Sequence, residues 1–425
     1  MIDTTDHNTI VKVHGESEPL AARVAILVPF VAPHKKPIYQ ALANRCESLA
    51  VLVSTPMEEN RYWQPDWDGL DVIVQRTWTI RQIFRHRVGF REPLFVHVPV
   101  DTWKRLRQVR PDVIISHEFG FRTLFAALYR QVSRKTRLVI WGGLSEHTEK
   151  GKGLTRLLLR KLLIRLADVV VVNGKSGMRY VRNLGMPDDR VLRFPYATIP
   201  SPFDDAPPKR DESTRDHLVF VGSLIERKGI VPFVECLADW CQSHPDREIR
   251  LTLVGEGPER PKLESLAKPD NLRLEICGHC GYERIHQAYR EASIFAFPSL
   301  MDDWGMAVNE AMQAGLPILG SPYSQAIDEM VVEGEHGWRF HTDQRDEMYS
   351  AIDRALGTPW HEQQAMGERA RRRIEHRTPD YAASFLVRAA KRARQEADAE
   401  PPRNEGSSVP NAHMPGAKRV SPRMS

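Results

Sequence analysis

The sequence predicts an α/β protein built from two Rossmann-like domains, and three observations carry that prediction. Short apolar runs rich in β-branched residues alternate with helical patterns along the 425-residue chain. That alternation is the pattern of buried parallel strands joined by crossover helices. A stretch rich in Pro, Asp and Lys, Pro195 to Arg215, separates two such series and reads as an interdomain linker. The length suffices for two or three domains, each with a buried core.

Composition narrows the class. No apolar run approaches the roughly 20 residues needed to span a bilayer, and the polar start of the chain does not read as a secretory signal. Five widely spread cysteines argue against a disulfide framework and favour a reducing cytoplasm. The 60 Lys and Arg against 55 Asp and Glu leave a net charge of +5, which fits anionic partners such as nucleotides or phospholipid headgroups. No zinc-finger spacing, ribonucleoprotein motif or basic repeat points to nucleic acid.

In chain order, residues 1–20 read as a mobile leader. Val24 to Val28 is the first buried strand, followed by a loop from Phe30 to Pro37, a helix from Ile38 to about Cys46 and a strand from Leu49 to Ser54. This opening is a βαβ unit. The basic loop Pro33-His34-Lys35-Lys36-Pro37 faces either an acceptor or plain solvent. Arg76 to Arg91 interleaves Arg76, Arg81, Arg85, Arg87 and Arg91 with Trp78, Phe84 and Phe90. It reads as a solvated basic loop, or as one that lies on anionic lipid. Val113 to Ile115 is a strand, and Ser116-His117-Glu118-Phe119-Gly120 sits just past it, where a His can face a cleft or simply cap a helix. Leu138 to Trp141 is the next strand. The amphipathic stretch Gly151 to Asp168 carries Lys152, Arg156, Arg160, Lys161 and Arg165 among leucines. Either it packs its leucines on the sheet and shows its cations to water, or it rests on a membrane surface. Val169 to Val172 closes the series, which assigns 21–195 to a first domain and 196–217 to the linker.

The second series opens with Leu218 to Val221. Gly222-Ser-Leu-Ile-Glu-Arg-Lys-Gly229 follows it directly, and Arg227 and Lys228 can neutralise a phosphate that small residues let approach. Leu251 to Val254 ends in the turn Gly255-Glu256-Gly257-Pro258. Cys277-Gly-His-Cys280 has the letters of a redox pair, but it occupies a strand-end turn and lacks a thioredoxin-like frame; nor does it supply the second ligand pair that structural zinc needs. Ile294 to Phe297 is a strand, Asp302, Asp303 and Gly305 form a polar loop, and a helix runs from about Met306 to Ala314 with Gly315 and Pro317 at its end. The free N–H groups at the start of this helix suit a phosphate, and Asp302 and Glu310 can hydrogen-bond sugar hydroxyls. Asp302 and Asp303 serve equally well as helix caps. Leu316 to Gly320 is a further strand, and Trp338 to Phe340 a last short one. The series assigns 218–360 to a second domain, 361–400 to C-terminal helices and 401–425 to a disordered tail. Arg369 to Arg373 reads as a solvated helix face.

Pro298-Ser299, Asp302, Trp304-Gly305, Glu310-Ala311 and Gly315-Leu316-Pro317 together resemble the signature of glycosyltransferase family 4, P-S-x-x-E-x-F-G-x-x-x-x-E-A with a following G-x-P. The resemblance is clear from about 218 to 340 and weaker over 21–200. It implies two Rossmann-like domains facing across a cleft (the B-type, or GT-B, fold), with a C-terminal helix returning to the first domain, anchored by Tyr381 and Phe385. It implies a retaining enzyme moving a sugar from a nucleoside-diphosphate sugar to an acceptor hydroxyl of a glycan or lipid-linked acceptor. By the same resemblance, Gly222, Arg227, Lys228, Gly305 and Met306 hold the donor diphosphate. Asp302 holds the donor sugar, Glu310 the ribose, and Gly255, Glu256 and Gly257 line the nucleotide cleft. His117 stands near the donor sugar as the second catalytic candidate beside Asp302. No metal and no other cofactor is required, because basic groups can take the metal's place. Two departures stand out: Asp302 replaces the usual Glu, and Ser223 the usual Arg. A nucleotide-sugar epimerase of the same fold, or an inactive protein of the membrane surface, are the alternatives. The expected location is the cytoplasm, with the inner face of the membrane as a further partner.

Overall fold

The computed structural model describes residues 19–59, 64–86, 89–204 and 208–399. The expected leader (except its last two residues) and tail lie outside these, as do Arg87 and Pro207. The first half contains strands β1 (Leu20–Val28), β2 (Cys46–Val53), β3 (Asp71–Val74), β4 (Thr77–Arg85), β5 (Arg91–Pro99), β6 (Val113–His117), β7 (Arg137–Gly142), β8 (Val169–Val172) and β9 (Val191–Arg193). Its helices are α1 (Lys36–Ala43), α2 (Thr102–Val109), α3 (Phe121–Val132), α4 (Glu146–Glu149), α5 (Leu154–Leu166) and α6 (Lys175–Asn183). The second half contains β10 (His217–Val221), β11 (Ile249–Val254), β12 (Leu272–Gly278), β13 (Ile294–Phe297), β14 (Ile318–Gly320) and β15 (Gly337–Arg339). Between and after them run α7 (Ile230–Ser243), α8 (Arg260–Ser265), α9 (Tyr282–Glu291), α10 (Met306–Gln313), α11 (Gln325–Met330), α12 (Arg345–Gly357), α13 (Trp360–Ile374) and α14 (Pro379–Ala399).

Apolar runs such as Val169–Val172 and Ile294–Phe297 are fully buried, because helices cover both faces of a parallel sheet. The seven-stranded sheet has the order β3-β2-β1-β6-β7-β8-β9 and the six-stranded sheet β12-β11-β10-β13-β14-β15. All pairings within both are parallel. The order reverses between β1 and β6 in one sheet and between β10 and β13 in the other. Ligands of open α/β sheets bind at such switch points, beyond the carboxyl ends of the strands. His117 ends β6, Gly222 follows β10 and the signature loop follows β13, so the candidate residues gather at these two edges. The two sheets are two Rossmann-like domains of a GT-B fold.

Three elements differ from expectation. Arg76 to Arg91 is not a loop: Thr77–Arg85 and Arg91–Pro99 pair as an antiparallel hairpin. Trp78, Ile80 and Ile83 are exposed on it. Helix α5 neither packs all its leucines inward nor turns all its cations out. Leu163 and Ile164 are buried, yet Leu154, Leu158 and Leu162 are exposed (69%, 57% and 46%) while Arg160 is buried at 4%. The reason is a carboxylate on another element: Glu149, at the end of α4, is itself buried and takes an ion pair from Arg160. A buried carboxylate costs several kcal/mol unless paired, and the pairing sets the helix's rotation. Finally, α14 does return to the first domain, packing on α1, β6, β7 and β8, with Arg45 paired to Asp380 at 2.8 Å. Its buried face is Ala382, Ala383, Leu386, Val387, Ala390 and Ala393. Tyr381 and Phe385 contact each other edge to face but are only partly buried, so Leu386, Val387 and the alanines rather than these two rings seat the helix.

The stretch between the domains is more than a tether. Tyr196, Ala197 and Phe203 are buried in the core. Arg371 donates to the Phe203 and Asp204 carbonyls at 3.4 and 3.0 Å, and Arg369 to the Glu335 carbonyl at 2.8 Å. Part of the basic run 369–373 therefore binds backbone, Arg369 while still exposed and Arg371 half-buried.

Gly229 ends the turn after β10 in the left-handed region (φ +63°), where a Cβ would sit 2.1 Å from the Pro298 carbonyl oxygen. Gly229→Ala is therefore expected to cost at least about 2 kcal/mol, read as a lowered midpoint of thermal unfolding. Gly357→Ala, whose Cβ meets nothing within 4 Å, should leave the midpoint unchanged or raise it slightly.

Candidate active site

On the second domain, the turn Glu226–Lys228 delivers two cations to the signature loop. The Arg227 guanidinium donates to the Met301 carbonyl at 2.8 Å and lies 3.7 Å from Asp302. The Lys228 ammonium is hydrogen-bonded to the Asp302 carboxylate and stands 4.6 Å above the Phe297 ring. Burial works to raise the Asp302 carboxyl, but Lys228 and Arg227 outweigh it and hold it below the usual carboxylate range. Asp302, expected to reach outward to a sugar, is thus clasped by Lys228 at one oxygen.

Helix α10 begins at Gly305, where φ is +103° and a Cβ would press on Phe297 and Ser324, each at 2.9 Å. No side chain caps this helix start, so neither Asp302 nor Asp303 is the cap that local pattern allows. Its first N–H groups, Met306 among them, carry the partial positive end of the helix. One turn along, Glu310 accepts from the Tyr289 hydroxyl at 3.0 Å. Burial pushes its carboxyl up to about 7, against the lowering effect of that hydrogen bond.

The Gly255-Glu256-Gly257 turn has a packing duty. A Cβ at Gly255 would meet the Gly222 carbonyl oxygen at 1.9 Å, and one at Gly257 the Leu224 carbonyl oxygen at 2.2 Å. The two glycines let the loops after β10 and β11 lie against each other. Glu256 is half exposed and paired with Arg260 at 2.7 Å. At the end of β12, burial pushes the Cys277 thiol up, the opposite of an activated redox cysteine.

On the first domain, His117 is buried and its Nε2 lies 2.6 Å from the Lys35 ammonium. Burial first, then the Lys35 charge, lowers the imidazole to about 4, so the ring is neutral near pH 7. Lys35 donates to Nε2, which leaves the proton on Nδ1. Nδ1 is buried and faces the Glu118 carboxylate at 3.5 Å, a contact that raises the imidazole and lowers the carboxyl. Nε2 is therefore closed to a sugar hydroxyl, and Nδ1 is turned to Glu118. Burial also lowers Lys35 to about 8, opposed by Glu118, and its ammonium stands 4.8 Å over the Trp141 ring. Glu118 has a positive φ of 68°, a strained conformation for a non-glycine residue. Burial opposes its ionisation, but His117, Arg122 and Lys35 hold its carboxyl well below the usual range.

Two further groups join the halves. Trp304 stacks on Tyr196 at 4.8 Å, Tyr196 meets Phe194, Phe194 meets Trp141 at 4.4 Å, and Trp141 meets His117 at 5.3 Å. Asn309 accepts from the Trp304 indole at 2.9 Å and donates to the Tyr196 and Ala197 carbonyls. His147 is hydrogen-bonded at 2.9 Å to the Leu300 carbonyl, two residues before Asp302. Asp303, which local pattern offers only as a cap, has a larger place in the site. Its side chain is exposed at the mouth of the cleft, and desolvation by the surrounding walls pushes the carboxyl up to about 6, with Lys152 and Arg227 pulling down and Asp302 and Glu118 pushing up. Its charge reaches Lys35, Arg156 and Arg160 on the opposite wall. Sequence reasoning also misses Glu149 and the Lys35–His117 pair, because each depends on a partner on another element. A separate cavity of about 290 Å³ lies between the domains beside His147, lined by Glu146, Arg179, Tyr323, Arg339 and His341 among others.

Comparison with known proteins agrees with this geometry. Residues 203–373 match the model of "Glycosyl transferases group 1" and residues 32–197 that of "Glycosyl transferase 4-like domain". The alpha-monoglucosyldiacylglycerol synthase of Acholeplasma laidlawii is 23% identical over 76% of this chain and 85% of its own length. The alpha-D-kanosaminyltransferase of Streptomyces kanamyceticus is 24% identical over 54% of this chain and 60% of its own. One subunit of human phosphatidylinositol N-acetylglucosaminyltransferase is 28% identical over 40% of this chain and 34% of its own. The match thus spans about a third to three fifths of the latter two proteins. Among solved structures, Anabaena HepE in complex with UDP and glucose superposes with a TM-score of 0.60 at 15% identity, covering 89% of this chain and 99% of that one. Sucrose-phosphate synthase of Thermosynechococcus elongatus gives 0.61 at 17% identity, covering 89% and 100%. With the two family models spanning both sheets and the signature residues gathered at their facing edges, the chain belongs to the glycosyltransferases of group 1 with the GT-B fold.

Proposed function

We propose that this glycosyltransferase moves a sugar from a nucleoside-diphosphate donor to an acceptor hydroxyl with retention of the anomeric configuration. The observation that carries the reading is the convergence, at the carboxyl edge of one sheet, of Arg227, Lys228, the uncapped start of α10 and Glu310. Together these offer two cations and helix N–H groups to a diphosphate and a carboxylate to a ribose. The complex with UDP and glucose described for Anabaena HepE supports such a ligand in this fold.

In the reaction, the bond between the anomeric carbon and the diphosphate oxygen breaks, and the leaving group gains negative charge. Lys228, Arg227 and the N–H groups at Gly305 and Met306 stabilise that charge, the electrostatic contribution that usually dominates. We assign these groups, rather than a metal ion, to that task. The acceptor oxygen bonds to the anomeric carbon, and its proton passes to a leaving phosphate oxygen. Asp302, one methylene shorter than the usual Glu, serves the donor end by holding Lys228 in place. His117, held by Lys35 at Nε2 and by Glu118 beside Nδ1, marks the first domain's side of the donor sugar.

The first domain is assigned the acceptor, a glycan or lipid-linked hydroxyl. Among the described residues no helix is long and apolar enough to cross a membrane. The exposed Leu154, Leu158 and Leu162 ridge on α5, with Lys161 and Arg165 on the same helix, fits an enzyme that rests on an anionic bilayer face. The names of the Acholeplasma and human relatives, which refer to a diacylglycerol glycolipid and to phosphatidylinositol, favour a lipid acceptor. Cell-surface glycan or glycolipid assembly in the cytoplasm, at the inner membrane face, is the setting this reading implies.

A thermal-unfolding panel with uridine, guanosine and adenosine diphosphates and their sugar conjugates tests the donor assignment. At about 100 times its dissociation constant the true nucleotide should add ~2.7 kcal/mol to stability. The expected result is a shift with one base that Lys228→Ala abolishes; a wild-type protein that responds to none of them contradicts the assignment.

A second expectation follows from Glu310. Only its ionised form accepts two ribose hydroxyls, and its carboxyl titrates at about 7. Nucleotide affinity should therefore rise as pH increases through 7 and fall by about tenfold from pH 7.5 to pH 6. Glu310→Gln should bind more weakly at pH 7.5 and lose this dependence. Titration calorimetry across the range checks both.

A further inference from the structure

Helices α9 and α10 meet at Glu310, the carboxylate assigned to the ribose, and one hydroxyl joins them there. Tyr289, in the last turn of α9, is fully buried, and its ring packs against Phe295 on β13 at 5.9 Å. Its hydroxyl lies 3.0 Å from Oε2 of Glu310 and 3.4 Å from the Ala307 carbonyl oxygen, both on α10. A phenol has one proton to donate, and the nearer, charged acceptor takes it. The same two helices are bound again at their ends. The Arg210 guanidinium, from the stretch between the domains, donates to the Tyr289 carbonyl at 2.7 Å and to the Ala314 carbonyl at 2.8 Å. One cation thus serves the carboxyl ends of both helices, where the carbonyls carry partial negative charge. The distance from Tyr289 to α10 is therefore set from two sides.

Glu310 depends on this hydroxyl more than the other carboxylates of the site depend on any one group. Burial opposes its charge, and the Tyr289 hydroxyl is the group that favours it. Tyr282, in the first turn of α9, is the other titratable group that feels this charge. Helices α11 and α13 and strands β13 and β14 also pack on α10, and among the described residues none of them brings a charged group to Glu310. Without the hydroxyl, Oε2 would lose its proton donor, and the carboxylate would be free to turn and easier to protonate. When Glu310 is protonated it can give its own proton to the Tyr289 oxygen, while that hydroxyl turns to the Ala307 carbonyl. The pair is thus satisfied in both charge states. Only in the ionised state, with Oε2 held, do the remaining lone pairs of the carboxylate face the ligand as acceptors.

We propose that Tyr289 is a positioning residue for ribose recognition: its hydroxyl fixes the plane of the Glu310 carboxylate and keeps it an acceptor, so that the site tells a ribonucleotide from its 2′-deoxy counterpart. This rests on the reading of Glu310 as the ribose-binding carboxylate. Tyr289 acts through Glu310 and, being fully buried, does not touch the nucleotide. A carboxylate held in one plane offers both ribose hydroxyls an acceptor at once. An analogue that lacks one hydroxyl then leaves a desolvated lone pair without a partner. A carboxylate that rotates freely, or that is protonated, loses this discrimination.

Titration calorimetry on the full chain tests this with uridine, guanosine and adenosine diphosphates, each against its 2′-deoxy counterpart, between pH 6 and pH 9. Wild type, Tyr289→Phe, Glu310→Gln and the double variant are compared. Tyr289→Phe keeps the buried ring and its packing on Phe295. For the base that binds, the wild type at pH 8 should favour the ribonucleotide by at least about tenfold. Tyr289→Phe should cut that ratio at least about threefold. The pH at which its affinity rises should also move up by about one unit, because losing a hydrogen bond to the charged form raises a carboxyl. In the Glu310→Gln background the same substitution should change neither the ratio nor the pH dependence. A Tyr289→Phe chain with the wild-type ratio and the wild-type pH midpoint overturns the proposal even if its affinity is lower throughout, since a purely structural tyrosine would give that result. So does an effect of equal size with and without Glu310. A wild type that binds a ribonucleotide and its 2′-deoxy counterpart alike removes the role of Glu310 and the proposal with it, while leaving the diphosphate site in place. A wild type that binds no nucleotide is the distinct failure of the donor reading, and the proposal falls with it.

Discussion

The stack of Trp304 on Tyr196 is the contact on which the arrangement of the site depends. Tyr196 belongs to the stretch between the domains, and Trp304 to the signature loop of the second. Behind Tyr196 the rings of Phe194, Trp141 and His117 continue the contact to the end of β6. Aromatic pairs of this geometry add about 0.5–1.5 kcal/mol each beyond the area they bury. More important here, rigid rings transmit position. Asn309 fixes the column's upper end by bonding the Trp304 indole and two carbonyls of the interdomain stretch. The loop that holds Asp302 is thereby set against the edge that holds His117 and Lys35.

Electrostatics then divides the cleft into two cationic walls with carboxylates between them. Asp302 stays ionised because Lys228 and Arg227 face it, whereas Asp303, one residue on, is driven up to about 6 by its surroundings. Neighbouring carboxylates in different protonation environments are a frequent mark of functional sites. Glu310, pushed up to about 7, gives the nucleotide end its own sensitivity to pH. Its cationic partners decide the charge of Asp302, whereas desolvation outweighs the partners of Asp303 and Glu310.

The strands and the signature helix were legible because their signals are local. Ile294 to Phe297 is apolar and ends at Pro298, and Gly315 and Pro317 mark the far end of α10, so sequence and structure agree there within a residue or two. The orientation of α5 was not legible. Its pattern of leucines and cations is compatible with either rotation, and the deciding group, Glu149, lies on a different helix. The Lys35–His117 pair joins residues 82 positions apart, with nothing at either end to announce the other. The hairpin Thr77–Pro99 was hidden because its first strand is exposed on both faces and so lacks the alternation that a half-buried strand shows. Glycines 255 and 257 were legible as a turn, but their reason, the approach of the Gly222 and Leu224 carbonyls, is tertiary.

The most direct test of the donor assignment is a crystal structure of the protein with the nucleoside diphosphate that stabilises it. The diphosphate is expected at the N–H groups of Gly305 and Met306 beside Arg227 and Lys228, with the ribose hydroxyls on Glu310 and the donor sugar toward the end of β6 at His117. A nucleotide seated instead on the first domain's wall, over Gly120 and away from Glu310, would contradict it.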